Sequence, residues 1–320
     1  MAHFLVTGGA GFVGSHLAEA LLDQGHAVRV LDDLSTGRAE NLPRRANLIE
    51  GDVTDPAAVE RAFSGIDGCF HLAAIASVAR SHCEWRRTHQ VNLTGTINIF
   101  DQARSLRNRR EISVVYASSS AVYGDYASVP VSEQDCPKPL SAYGVDKLAC
   151  ELHARIATAV HGVPTVGLRF FNLYGPRQNS RSQYSGVIAI FAERLSRGEP
   201  IEIFGDGEQV RDFTFVGDAV SGLCRAMRSA TPNASVFNIC TGKGTTVRAL
   251  AEAMAALYRT ELVIDYRAAR SGEVRFSIGN PRRAAEQLGF RANMSLADGL
   301  AVMLEYSCSS KGVSARFGRD

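Results

Sequence analysis

The stretch Phe4-Leu5-Val6-Thr7-Gly8-Gly9-Ala10-Gly11-Phe12-Val13-Gly14-Ser15-His16-Leu17 decides the fold. An apolar run ends in glycines, and a segment follows with Leu17, Leu21 and Leu22 on one side. That pattern predicts a buried strand, a tight turn and a helix. Gly8, Gly11 and Gly14 are spaced G-x-x-G-x-x-G. Gly8 can turn sharply, Gly11 lets a diphosphate approach the backbone, and Gly14 lets helix and strand pack closely. The first turn, with Phe12 and Val13, then offers free N–H groups and a partial positive charge to phosphates. A glycine pattern alone also fits an ordinary glycine-rich turn. The context favours a dinucleotide. A second strand, Ala27-Val28-Arg29-Val30-Leu31, ends in Asp32-Asp33. The first acid lies roughly 20 residues past the glycines, where a carboxylate accepts from an adenosine ribose hydroxyl. A carboxylate there repels a 2′-phosphate, so NAD is expected ahead of NADP, although Arg38 nearby keeps NADP from being excluded.

At 320 residues the chain makes one large domain or two closely joined ones. Charge is nearly balanced, with 35 basic and 33 acidic residues that are scattered rather than blocked. This gives no electrostatic case for nucleic acid. Seven cysteines show no C-x-x-C pair, so neither zinc nor a disulfide framework is expected. His82, Cys83 and His89 cluster without metal-ligand spacing, and no metal is expected. The first strand begins almost at Met1, and no apolar run approaches the roughly 18 residues that span a membrane. A soluble, cytoplasmic protein is the expectation.

Further strands are predicted at Asn47–Val53, Gly68–Ala74, Ile112–Ala117 and Thr165–Phe170. Helices alternate with them: a short one from Asp55-Pro56 to Phe63, a longer one from about Glu84 to Arg104, and one opening at Ser141. Such alternation predicts an α/β fold with a Rossmann-like, doubly wound parallel sheet. Asp52 either borders the adenine or caps the next helix. His71 reads as a core or rim histidine. From residue 171 the pattern changes, with short strands and helices near 186–197, from Asp218, near Val247–Leu257 and near Leu296–Tyr306. Residues 1–170 are therefore assigned to the NAD-binding domain. Residues 171–320 are assigned mainly to a smaller C-terminal substrate-binding lobe, interleaved with the first and lying over the carboxyl ends of the strands. The last dozen residues are expected to form a mobile tail.

The chemistry is expected between the two halves. Tyr143 and Lys147 are four apart on a helix, hence on one face. A tyrosine with an ordinary pKa of about 10 is a poor base at neutral pH. A lysine ammonium one turn away, together with a positive nicotinamide ring, favours the phenolate. Ser119, at the end of the previous strand in Ser118-Ser119-Ser120, can hold a substrate hydroxyl between itself and that phenolate. Ser119, Tyr143 and Lys147, with Ser120 beside them, are thus the candidate proton-transfer set beside a hydride acceptor.

With these motifs in place, the chain resembles the extended short-chain dehydrogenases/reductases of the nucleotide-sugar epimerase/dehydratase family. The likeness runs from about Phe4 to Tyr306 and rests on the glycine turn, Asp32-Asp33-Leu34-Ser35-Thr36-Gly37, Ser118-Ser119-Ser120, Tyr143 with Lys147, Arg169-Phe170-Phe171-Asn172 and Arg211-Asp212-Phe213. It implies that Asp32, Asp33, Leu34, Thr36 and Gly37 line the adenosine side of NAD, that Asp52 and Val53 flank adenine, and that Leu72, Ala73, Ala74 and Asn92 border the dinucleotide. It also implies that Asn172, Val187, Arg211, Arg270 and Glu273 hold UDP. An arginine fork suits a diphosphate.

Dehydratases and decarboxylases of this family carry an acid just before the V-Y-G of the strand-end motif. Here those positions are Ser120 and Ala121, which leaves 4-epimerisation. Ser277 aligns where epimerases restricted to UDP-glucose carry tyrosine, and a small residue opens room for an acetamido group. The Tyr174–Ile188 segment is similar to bacterial UDP-N-acetylglucosamine 4-epimerases. UDP-glucose or UDP-glucuronate stay as alternative substrates, and an NAD-occupied sensor or scaffold as the non-enzyme alternative. The resemblance also implies a homodimer, with the helices from about Glu84 and Tyr143 pairing with their copies in a four-helix bundle.

Overall fold

The computed structural model describes residues 1–179, 186–231, 233–270 and 273–310, with side chains through Ser307. Six strands alternate with helices in the first half: β1 (His3–Thr7), β2 (Ala27–Asp32), β3 (Asn47–Glu50), β4 (Gly68–His71), β5 (Ser113–Ser119) and β6 (Thr165–Phe170). All are parallel. Spatially they run β6, β5, β4, β1, β2, β3. A seventh strand, Ser235–Ile239, joins the sheet beside β6. It comes from the half of the sequence assigned to the substrate lobe, and so do the apolar residues Ala219, Leu223 and Phe290 that cover one sheet face.

Successive strand residues bury opposite faces, as the pleat requires. Leu5, Leu31, Cys69 and Val114 pack on one side with the Pro56–Phe63, Gly95–Leu106 and Ala142–Ala159 helices. Val6, Val30, Phe70 and Val115 pack on the other with the Phe12–Asp23 and Val216–Arg228 helices. Both faces are covered, which is why the strands read as continuous apolar runs.

Chain reversal at the glycine turn matches its sequence. Gly8 adopts φ +67°. A Cβ on Gly14 would stand 2.2 Å from the Gly8 carbonyl oxygen, so only glycine allows this close approach of helix to turn. Asp55, rather than Asp52, caps the Pro56–Phe63 helix, accepting from Ala57 N. Ser141 caps the Ala142–Ala159 helix through Gly144 N.

The long helix expected from Glu84 is interrupted. Trp85–His89 is α-helical, Gln90–Thr94 forms a π turn, and Gly95–Leu106 resumes. The Asn92 carbonyl accepts from Thr96 Oγ1 at 2.6 Å, and its side-chain amide pairs with both the N–H and the carbonyl of Ile75. These competing bonds account for the wider turn. The second half contributes Asn172–Tyr174 paired with Phe213–Phe215, and a three-stranded group of Thr245–Thr246, Val210–Arg211 and Phe276–Ser277. Its own apolar core centres on Phe191, Ile201, Leu250 and Met254. The last helix runs from Leu296 to Ser310, and the expected tail beyond it lies outside the described residues.

Candidate active site

β1 and β4 are neighbours whose carboxyl ends open together, and Gly8 approaches Ala73 there. A cavity of about 850 Å³ lies over these ends. Gly8, Gly11, Phe12, Val13 and Gly14 form its floor. No side chain caps the Phe12–Asp23 helix and no acid stands in its first turn. Its leading N–H groups are therefore free to bind an anion. Asp32, Asp33 and Thr36 line one end with Asp52 and Val53; Leu72, Ala73 and Ala74 form a wall. The shape, the uncapped helix and the Gly14 cradle fit an extended diphosphate-linked dinucleotide.

The carboxylates at this end of the cavity are already engaged. Asp32 accepts from Ala10 N and Leu34 N, both at 2.9 Å. Burial pushes its carboxyl above the ordinary range against the pull of those bonds. Asp33 accepts from Ser35 N and Oγ. Arg87 donates to Asp52 Oδ2 at 2.7 Å and stands 3.9 Å from Asp33. Arg87 lines the cavity, yet nothing in the sequence pointed to it, because 35 residues separate it from Asp52. Leu34, Gly37 and Asn92 do not line the cavity. Leu34 and Gly37 shape the turn around Asp32, and the Asn92 side chain holds the wall from behind at Ile75.

Of the two places read for His71, core or rim, the structure gives the core. Thr7 Oγ1 and Thr96 Oγ1 contact its two ring nitrogens at 2.7 and 3.0 Å. Burial, then the charge of Lys147, lowers its pKa to about 3, so the ring stays neutral. Thr7 Oγ1 also accepts from Leu72 N and Ala73 N, which orients that wall.

The helix that carries Tyr143 and Lys147 packs against β5, whose last residue is Ser119. Tyr143 N donates to Ser81 Oγ, and Tyr143 is 9 % exposed. A Cβ on Gly144 would meet the Ala121 carbonyl oxygen at 2.6 Å, so the helix start presses directly on the Ser120–Val122 turn. Lys147 Nζ donates to the Ala117 carbonyl at 2.8 Å and lies 5.8 Å from the centre of the Tyr143 ring. Ser119 Oγ accepts from Ala121 N at 3.1 Å, which leaves its proton free to be donated outward. Ser120 and Ala121 place no carboxyl here.

Among the residues expected to hold the substrate, Arg211 and Ser277 are register partners in adjacent strands. The Arg211 guanidinium donates to Val210 O and faces Glu273 at 3.4 Å, and burial lowers its pKa. Arg270 stacks on Phe204, its Cζ 3.7 Å from the ring centre, and its carbonyl accepts from Glu273 N. Asn172 N bonds Asp212 O beside Arg211, and Val187 opens a helix whose cap, Gly186, has no side chain. Of the Tyr174–Ile188 segment, residues 180–185 lie outside the described residues, as do Ser271 and Gly272.

Residues 4–240 match the family model described as the NAD dependent epimerase/dehydratase family. The chain is 36% identical over 309 residues to a UDP-glucose 4-epimerase of Mycolicibacterium smegmatis, covering 94% of this chain and 97% of that one. Among solved structures it is similar to UDP-glucose 4-epimerase of Thermotoga maritima bound to UDP-glucose, with TM-score 0.91, 39% identity and coverage of 97% and 99%. It is also similar to UDP-N-acetylglucosamine 4-epimerase of Methanobrevibacter ruminantium in complex with UDP-N-acetylmuramic acid, with TM-score 0.90, 32% identity and coverage of 97% and 99%. The chain belongs to the NAD-dependent epimerase/dehydratase family. It is an isomerase that works with NAD, on a Rossmann-like sheet. No group of metal-ligating side chains occurs among the described residues, nor any helix long and apolar enough to cross a membrane.

Proposed function

We propose that this isomerase is a 4-epimerase of UDP-hexoses whose preferred pair is UDP-N-acetylglucosamine and UDP-N-acetylgalactosamine. The observation that supports the reading is the packing of Tyr143 beside Lys147, with Lys147 bonded to the strand that ends at Ser119, whose next residues, Ser120 and Ala121, offer no acid for elimination. Bound NAD supplies the acceptor for the hydride at C4 and the donor for its return. Tyr143 takes the proton of the 4-hydroxyl and gives it back after the ketose has turned its other face. Ser119 donates a hydrogen bond to that oxygen throughout. Lys147 sets a positive charge beside the phenol, where negative charge develops. Asn172, Val187, Arg211, Arg270 and Glu273 hold UDP, and the diphosphate replaces Glu273 as the partner of Arg211. Ser277, beside Arg211, leaves room for an acetamido group. The names of similar proteins include both the glucose and the N-acetylglucosamine enzymes.

Product analysis tests the reading. The purified protein, with added NAD, is incubated separately with UDP-N-acetylglucosamine, UDP-glucose and UDP-glucuronate, and each is followed by NMR. A galacto-configured product formed fastest from the first is expected. Faster turnover of either other sugar replaces the substrate assignment, and no conversion of any overturns the reading.

The enzyme works as a homodimer through a four-helix bundle on this proposal. Val145, Leu152 and Ile156 on the Ala142–Ala159 helix, with Val160 at its C-cap, are 52, 51, 53 and 64 % exposed and recur at helical spacing. Trp85, 68 % exposed, extends the apolar surface from the neighbouring helix. A monomer rarely leaves such a stripe uncovered. Light scattering should give twice the chain mass for the wild type and the single mass for Ile156→Arg. A monomeric wild type removes the dimer.

A further inference from the structure

Behind the candidate proton-transfer residues lies a buried charged cluster that the reaction itself does not call on. Ser118 points to the opposite side of β5 from Ser119, as alternate strand residues do. Its hydroxyl donates to Glu151 Oε1 at 2.5 Å. Arg169, the register partner of Ser118 on β6, grips Glu151 with both arms, Nε to Oε1 at 2.8 Å and Nη2 to Oε2 at 2.7 Å. Ser118, Glu151 and Arg169 are 2, 5 and 5 % exposed. The Arg169 guanidinium also lies 4.7 Å from the centre of the Tyr123 ring, whose hydroxyl donates to Asn238 Oδ1.

The placement of Glu151 matters more than its charge. It follows Lys147 by four residues, so the two side chains leave one face of the same helix, one turn apart. Lys147 holds the carbonyl of Ala117, and Glu151 holds the hydroxyl of Ser118. The two residues before Ser119 are thus each pinned to the helix that carries Tyr143. A buried ion pair is a poor source of stability, because well-packed apolar residues of similar volume commonly do as well or better. Its merit is direction: a bidentate guanidinium–carboxylate pair admits one register of strand against helix, whereas apolar contacts tolerate sliding.

We propose that Glu151, oriented by Arg169, is a positioning residue that fixes Ser119 against Tyr143 and Lys147. The inference rests on the reading of those three as the proton-transfer set.

The test compares the wild type with Glu151→Leu/Arg169→Met, Glu151→Gln and Tyr143→Phe, using the best UDP-sugar substrate. Thermal midpoint, bound dinucleotide, KM and kcat are measured for each. The double variant should keep its midpoint, dinucleotide and KM, and lose roughly 10- to 100-fold in kcat, as a small misalignment of reacting groups does. Glu151→Gln, which keeps an acceptor for Ser118, should recover most of that kcat. An unchanged kcat in the double variant overturns the proposal, and so does a loss that follows the midpoint or the dinucleotide content. If the double variant fails to fold, Ser118→Ala decides: lower kcat at unchanged KM and midpoint supports positioning, and unchanged kcat overturns it. Tyr143→Phe separates the two levels. If it is active, the proton-transfer set is wrong; if it is inactive while the double variant is fully active, only the positioning role falls.

Discussion

Tyr143→Phe should fold, retain its dinucleotide and turn over roughly 10²–10⁴-fold more slowly than the wild type, the range that a positioned acid–base group contributes. The substitution removes one oxygen and keeps the ring, which is 9 % exposed and seated at the start of a helix anchored by Ser141 and Ser81. Packing is therefore preserved, while the group beside Lys147 that can take the substrate proton is gone. The loss should fall on kcat, since the residues proposed to hold UDP, Arg211 among them, are not touched by the substitution. Steady-state kinetics with spectroscopic measurement of bound dinucleotide checks both parts. A rate near that of the wild type removes Tyr143 from the base role.

Ser277→Tyr should lower kcat/KM for the N-acetylated sugar roughly 10- to 200-fold while sparing UDP-glucose, the span that a modest steric change in a pocket commands. Ser277 is half-buried in a two-residue strand, in register with Arg211, and its carbonyl accepts from Asp212 N. The backbone at this point is tied to the Val210–Arg211 strand, so a phenol ring at 277 takes space in front of Arg211. Competition between the two substrates in one reaction gives the ratio directly. An equal loss for both sugars means that Ser277 is no size gate, and the acetamido selectivity then lies in other residues.

What could be read from the chain by itself was whatever its neighbours in sequence determine. Strand, glycine turn and helix at Phe4–Leu17 follow from apolar periodicity and from backbone space that only Gly8 and Gly14 allow. Ser141 as a cap, and Tyr143 with Lys147 on one face, follow from helical geometry within a few residues. The six alternating strands and the parallel sheet were predictable for the same reason. Tertiary structure decided what depends on distant partners. Ser235–Ile239 is a short apolar run that gains its place only by pairing with β6, about 70 residues earlier by number. The π turn at Gln90–Thr94 arises because Asn92 is drawn to Ile75. Arg87 reaches Asp52, Arg211 comes beside Ser277, and Glu151 meets Ser118 and Arg169, all through contacts that no spacing rule encodes. Local propensity acts over one or two turns of chain, whereas the pinning of Ala117 and Ser118 to the helix that carries Tyr143 is set by hydrogen bonds between elements that meet only once the sheet is closed in by its helices.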